Sequence, residues 1–439
     1  MQHQHHHHHQ PQPGAQHPSG LGRRQWLMAS ALAPLASLSL AAGPAHHDNR
    51  LVLVILRGGL DGLAAVPAIA DPAFAEARGA LADFGAPALP LDQLFALHPA
   101  LVQMHSLYGQ GQLAVVHATG LPYRERSHFE AQQLLESGGL RPHELGTGWL
   151  ARALAGSRGQ AIALQSAVPL VLRGPADVDT WAPSVLPEPS ADLLSRLQQL
   201  YASDAPLAGA LSRARQLRGD AMPAGVNNSM NSAMNNAPNN APNSAMTAAT
   251  PMAGAASAPG QAAPPRLAPI QTLARQAAEF LARPKGAKVA VLDMGGWDSH
   301  ANQAAPQGAI TNNLRALDGA MAILRDRLSA SALWSRTVVL VMTEFGRQVA
   351  MNGTQGTDHG SGGMALLLGG AVRGGRVLAD WPGLAPAHRF EGRDLRITTD
   401  LRSVFKTVLH DHLKVAQARI DGDVLPGSAG LPMLPLLRG

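Results

Sequence analysis

The chain has 439 residues, of which 46% are hydrophobic and 15% charged, and it contains no cysteine. That excludes a disulfide scaffold, an iron–sulfur site and thiolate chemistry. Lys and Arg number 35 against 30 Asp and Glu, a formal charge of +5. The basic residues form no concentrated block, so nucleic acid is not an expected partner.

In chain order, residues 1–22 form a His/Gln/Pro-rich head, with seven histidines in the first 17 positions and too little apolar surface to bury a core. Residues 23–42 follow as Arg23-Arg24-Gln25-Trp26-Leu27-Met28, an apolar run from Ala29 and small residues through Ala42. A basic pair, a mild apolar stretch and a small-residue end make an export signal. The adjacent arginines followed by an aromatic and a leucine resemble the twin-arginine signal. The expected partner is the twin-arginine export machinery, and the expected location is the periplasm or cell envelope. The run is shorter than the ~18 apolar residues that span a bilayer. No stable membrane span is therefore expected once the signal is removed.

Leu51–Leu56 is a continuous apolar, β-branched run stopped by Gly58-Gly59, as in a strand buried on both faces of a parallel sheet. Similar runs recur at Leu113–His117, Ala161–Leu164, Val289–Leu292, Thr337–Met342 and Met364–Leu368. Leu314, Leu317, Met321, Leu324 and Leu328 repeat at helical spacing, with Thr311 the candidate N-cap. Strand, helix, strand is a βαβ crossover. Residues 221–268 turn to Asn, Pro, Ala, Met and Ser, the composition of an insertion that lacks a core. The expected architecture is α/β. A single domain over 43–439, interrupted at 221–268, carries a mostly parallel central sheet with helices on both faces.

Chemistry-bearing residues gather after the predicted strands, where open α/β sheets collect ligands. Asp61, in Arg57-Gly58-Gly59-Leu60-Asp61, offers a hard oxygen or bonds to its own turn. In Arg124-Glu125-Arg126-Ser127-His128-Phe129-Glu130, Ser127 and Glu130 form a capping box. Ser127 is either a simple cap or a hydroxyl in a positive dipole field, with arginines beside it for an anion. Asp293-Met294-Gly295-Gly296-Trp297-Asp298-Ser299-His300 has the residue types and density of a divalent-metal loop. Glu344 ends one strand, and Asp358-His359 stand at the mouth of the next. His98, His105, His117, His143, His388, His410 and His412 lack such surroundings and read as core or surface residues. Walker, GxSxG, HExxH and Rossmann patterns are absent.

The blocks LRGGLDGL, HPAL, RSHFEAQ, GTGWLAR, DMGGWDSH, MTEFGR, GTDHGSGG, GGAVRGGRV and TTDLRSVF, together with the export signal, resemble the exported bacterial family called domain of unknown function 1501. That family resembles a remote branch of the alkaline phosphatase and sulfatase superfamily. The resemblance implies a hydrolase of phosphate or sulfate esters using divalent ions, up to two, of zinc, magnesium or calcium. It implies a small anionic ester or a sulfated or phosphorylated glycan as substrate. Asp61 and Glu344 would hold one ion and Asp298, His300 and His359 the other, with Asp293 or Asp358 as substitutes. Ser127 would be the nucleophile, and Arg57, Arg124 and Arg126 would hold the anion. Phe345 stands where the superfamily places an imidazole ligand. That departure keeps a second reading open, a non-catalytic metal- or anionic-glycan-binding envelope protein on the same fold.

Overall fold

An apolar run with no polar alternation has no face to give to water. Accordingly β1 (Arg50–Leu56) lies inside the sheet with all seven residues buried. The computed structural model describes residues 48–156, 161–184, 189–221, 268–303 and 308–438. The His-rich head, the twin-arginine segment and nearly all of the 221–268 insertion lie outside the described residues.

β2 (Leu89–Pro90) and β3 (Ala96–Leu97) pair with each other as a small separate ribbon. The main sheet takes β4 (Leu113–Gly120), β5 (Ala161–Ala163) and β6 (Val178–Thr180) from the first half of the chain. It takes β7 (Val289–Met294), β8 (Thr337–Thr343), β9 (Gly363–Leu368), β10 (Arg376–Leu378) and β11 (Thr399–Asp400) from the second. Among the described residues the order is β10-β4-β9-β8-β1-β7-β5-β6, with β11 beside β4, making nine strands. The sheet is thus drawn from both sides of residues 222–267.

Pairing is parallel except where β9 meets β4 and β8, which it does antiparallel. An apolar run reads the same in either direction, so the sequence holds no sign of this reversal. Its consequence is local to the site, because the segment entering β9 lies beside the segment leaving β8.

Alternate residues of β1 feed opposite layers. Val52, Val54 and Leu56 pack with the helices Pro269–Ala282 and Ala309–Ala330 through Phe280, Leu317, Met321 and Leu324. Leu51, Leu53 and Ile55 pack with the helices His128–Ser137 and Leu401–Thr407 through Leu134, Leu135 and Phe405. Helices therefore cover both faces. Two local expectations fail. Gly308, not Thr311, caps the helix Ala309–Ala330, and Thr311 Oγ1 sits 3.3 Å from His98 Nε2. Asp293 belongs to β7 itself rather than to the loop after it.

Candidate metal centre

Four chain segments meet at the carboxyl edge of the sheet, and two glycines let them close. Gly58 follows β1 with φ +119, and a Cβ there would stand 2.5 Å from Asp298 N. Gly356 packs so closely on the Trp297–His300 loop that its Cβ would stand 2.2 Å from the His300 carbonyl carbon. These approaches, and the reversed β9, bring His128, Asp298, His300 and His359 to one point.

His359 Nε2 lies 3.0 Å from His128 Nε2, 3.1 Å from His300 Nε2 and 3.1 Å from Asp298 Oδ1. His300 Nε2 is 3.0 Å from Asp298 Oδ1, and His128 Nε2 is 3.4 Å from Asp298 Oδ2. The opposite nitrogen of each ring faces an acceptor. His128 Nδ1 lies 2.9 Å from Glu344 Oε1, His300 Nδ1 lies 3.1 Å from Asp358 Oδ1, and His359 Nδ1 lies 3.1 Å from the Arg126 carbonyl.

Both carboxylates are held ionised. Burial pushes Glu344 up, but hydrogen bonds from His128, Gln132 Nε2 and Gly58 N outweigh it and leave its pKa below the ordinary value. The Asn352 amide, then His300, holds Asp358 low. An ionised carboxylate or a carbonyl only accepts, so each Nδ1 donates there, and a neutral ring in that tautomer turns its Nε2 lone pair toward the point of convergence. Three imidazole nitrogens and a carboxylate oxygen then face one another, the donor types that a divalent ion takes. Donors ~2.1 Å from a tetrahedral zinc ion sit about 3.4 Å apart, close to the separations here. His128, Asp298 and His359 are the one group among the described residues whose ligand atoms lie close enough together to hold a metal ion, and His300 adjoins it through His359 and Asp298.

Charges around the cluster are set by neighbours. The Glu344 hydrogen bond raises the pKa of His128, while burial, followed by the charges of His128 and Arg347, lowers that of His359. Burial pushes Asp298 up, but the hydrogen bond from Arg347 Nη1 at 2.8 Å prevails and leaves it low.

Glu344 and Asp358 therefore touch the imidazoles rather than the point of convergence. Asp61 is elsewhere: Oδ1 caps its turn, accepting from Leu63 N at 3.1 Å and Ala64 N at 3.2 Å, while Oδ2 takes Arg78 and Gln303. Asp293 pairs with Arg57 at 3.1 Å, and Arg57 also holds Glu136 at 2.6 Å. Arg124 Nη1 donates to the Leu121 and Tyr123 carbonyls, and Arg126 pairs with Asp394 and Glu391. Arg57 and Arg126 are thus engaged by carboxylates of the protein.

Ser127 sits at the N-cap position of the helix His128–Ser137, but its side chain makes no cap bond, and Glu130 Oε2 instead accepts from the Tyr123 hydroxyl at 2.5 Å. The capping box does not form. The residue that sequence reasoning passed over is His128, next in line. Its ring packs on Phe345, centroids 4.8 Å apart, so an imidazole from another segment occupies the space beside that phenyl. The signal was in view: a histidine directly following the Ser/Arg motif, at the first position of a helix.

The family model described as "Protein of unknown function (DUF1501)" matches residues 104–425. No curated protein matches the chain. Solved structures that resemble it include Ps i-CgsB in complex with a neocarrahexaose, at 10% identity and TM-score 0.42, covering 87% of this chain and 75% of that one. A phosphonate monoester hydrolase of Agrobacterium radiobacter gives 11% identity and TM-score 0.36, covering 84% and 74%. The C-terminal periplasmic domain of EptC from Escherichia coli, in complex with Zn, gives 11% and 0.31, covering 73% of each chain.

Proposed function

This chain belongs to the DUF1501 family, and from that premise we propose that it is an exported, metal-dependent hydrolase of phosphate or sulfate esters. One ion is held by His128, His300, His359 and Asp298. The observation that carries the reading is the set of three rings whose Nδ1 atoms face outward acceptors while their Nε2 atoms converge on the Asp298 carboxylate. Three imidazoles favour zinc or a similar transition ion over magnesium or calcium. Asp61 and Glu344 already spend their oxygens on hydrogen bonds, which favours one ion over two.

A divalent ion there supplies Lewis acidity toward an ester oxygen and lowers the pKa of a hydroxyl or water beside it. The protein's own groups set up that chemistry. Glu344 and Asp358 keep two rings in the Nε2-donor tautomer, and the buried Arg347 holds the Asp298 carboxylate. Ser127, adjacent to His128, is the proposed nucleophile. The substrate is a small anionic ester or a sulfated or phosphorylated glycan, met outside the cytoplasm after twin-arginine export.

A second reading is favoured by one observation: the His128, Asp298 and His359 group with the adjoining His300 supplies as many protein donors as a structural site uses, where catalytic sites keep a position open. On that reading the protein binds its metal, and an anionic glycan, without turnover. The full chain, made without an added tag and assayed on aryl phosphate and aryl sulfate esters, separates the two. Turnover that is lost in His300→Ala and in Ser127→Ala supports hydrolysis, whereas bound metal without turnover supports binding alone.

A further inference from the structure

Arg126 has φ +59, a left-handed conformation that a residue with a Cβ seldom adopts. Its guanidinium is fixed at both ends, Nε donating to Asp394 Oδ2 at 2.9 Å and Nη2 to Glu391 Oε2 at 2.6 Å. Asp394 is fully buried, and its Oδ2 also accepts from Ser361 Oγ at 2.9 Å. One carboxylate oxygen therefore ties the Arg126 turn to the segment that carries His359, two residues before Ser361. Between these two segments runs the contact that matters, His359 Nδ1 to the Arg126 carbonyl at 3.1 Å.

The other two imidazoles at the centre are oriented by carboxylate side chains, Glu344 and Asp358. His359 depends on a main-chain carbonyl whose direction is set by the backbone of residue 126. We infer that Arg126 is a positioning residue of the metal centre: clamped by Asp394 and Glu391, it holds a left-handed turn that aims its carbonyl at His359 Nδ1 and so fixes the Nε2-donor tautomer. This rests on the metal-centre reading above. With both guanidinium partners supplied by the protein, Arg126 orients a ligand rather than receiving the substrate's anion.

The test is zinc affinity by chelator competition and the cobalt(II) absorption spectrum. It uses the full chain with its seven head histidines replaced by Gln, as parent, Arg126→Ala, Arg126→Gly and Glu391→Ala. Loss of an orienting partner typically weakens metal binding roughly 10- to 100-fold, and that is the expectation for Arg126→Ala, with an altered cobalt band. Arg126→Gly takes the left-handed turn without strain and is expected to keep more affinity than Arg126→Ala. Glu391→Ala removes only the exposed partner and is expected to cost roughly two- to fivefold, which keeps the inference testable if the Arg126 variants do not fold. Parent-like affinity and spectrum in Arg126→Ala overturn the inference, as does a loss in Arg126→Gly as large as in Arg126→Ala. Parent-like affinity in Glu391→Ala overturns it too. A parent that binds no metal overturns the metal-centre reading and this inference together.

Discussion

His128 Nδ1 lies 2.9 Å from Glu344 Oε1, so the acid expected to touch a metal instead holds the ring of a histidine whose other nitrogen faces Asp298 and His359. Glu344→Gln keeps the shape but removes the ionised acceptor. Its expected effect is a loss of metal affinity of roughly 10- to 100-fold with the fold intact, read by chelator competition. Unchanged affinity would mean that His128 needs no such partner.

Asp61 is bonded as a structural acid. It and Arg78 are both buried, and breaking such a pair on one side leaves a charge without its partner. Asp61→Asn is expected to destabilise the protein by about 3–5 kcal/mol in denaturant titration while leaving metal content unchanged. A folded variant that had lost its metal would restore Asp61 to the ligand set.

Gly356 has no room for a side chain, because a Cβ would stand 2.2 Å from the His300 carbonyl carbon. Gly356→Ala is expected to push the His300 loop outward, weakening metal binding and costing about 1–3 kcal/mol of stability. Crystallography of the variant would show whether His300 moves. An unmoved ring with full metal affinity would contradict the packing argument.

Much of the fold was legible because strands buried on both faces carry long apolar runs, and the helix Ala309–Ala330 shows its stripe. The reversal of β9 was not legible, since burial on both faces erases direction. At the site, acids and histidines were readable as types, whereas their division into groups that converge and groups that orient them depends on long-range contacts. Asp61 meets Gln303 across 242 positions, and His128 meets His359 across 231. His128 also stands at a helix start, where the neighbouring Ser127 offers a local explanation for the motif.

Three histidines outside the centre give the protein a pH signature. His98, His117 and His412 are buried, and burial drives each pKa from 6.5 down to about 4. Below pH 6.5 the unfolded chain takes up protons that the folded chain refuses, so stability is lost progressively between about pH 6.5 and 4. The loss is on the order of 3 kcal/mol per ring. Denaturant titrations across that range should show the decline, with a shallower slope in His412→Gln. Identical slopes in parent and variant would contradict the assignment.

The most direct test of the account is the metal content of the full chain compared with His128→Ala and His359→Ala, all carrying the same head histidines so that their background cancels. The account predicts one equivalent more of a zinc-like ion in the parent than in either variant. Equal metal content in all three would contradict it, because the converging imidazoles would then hold no ion.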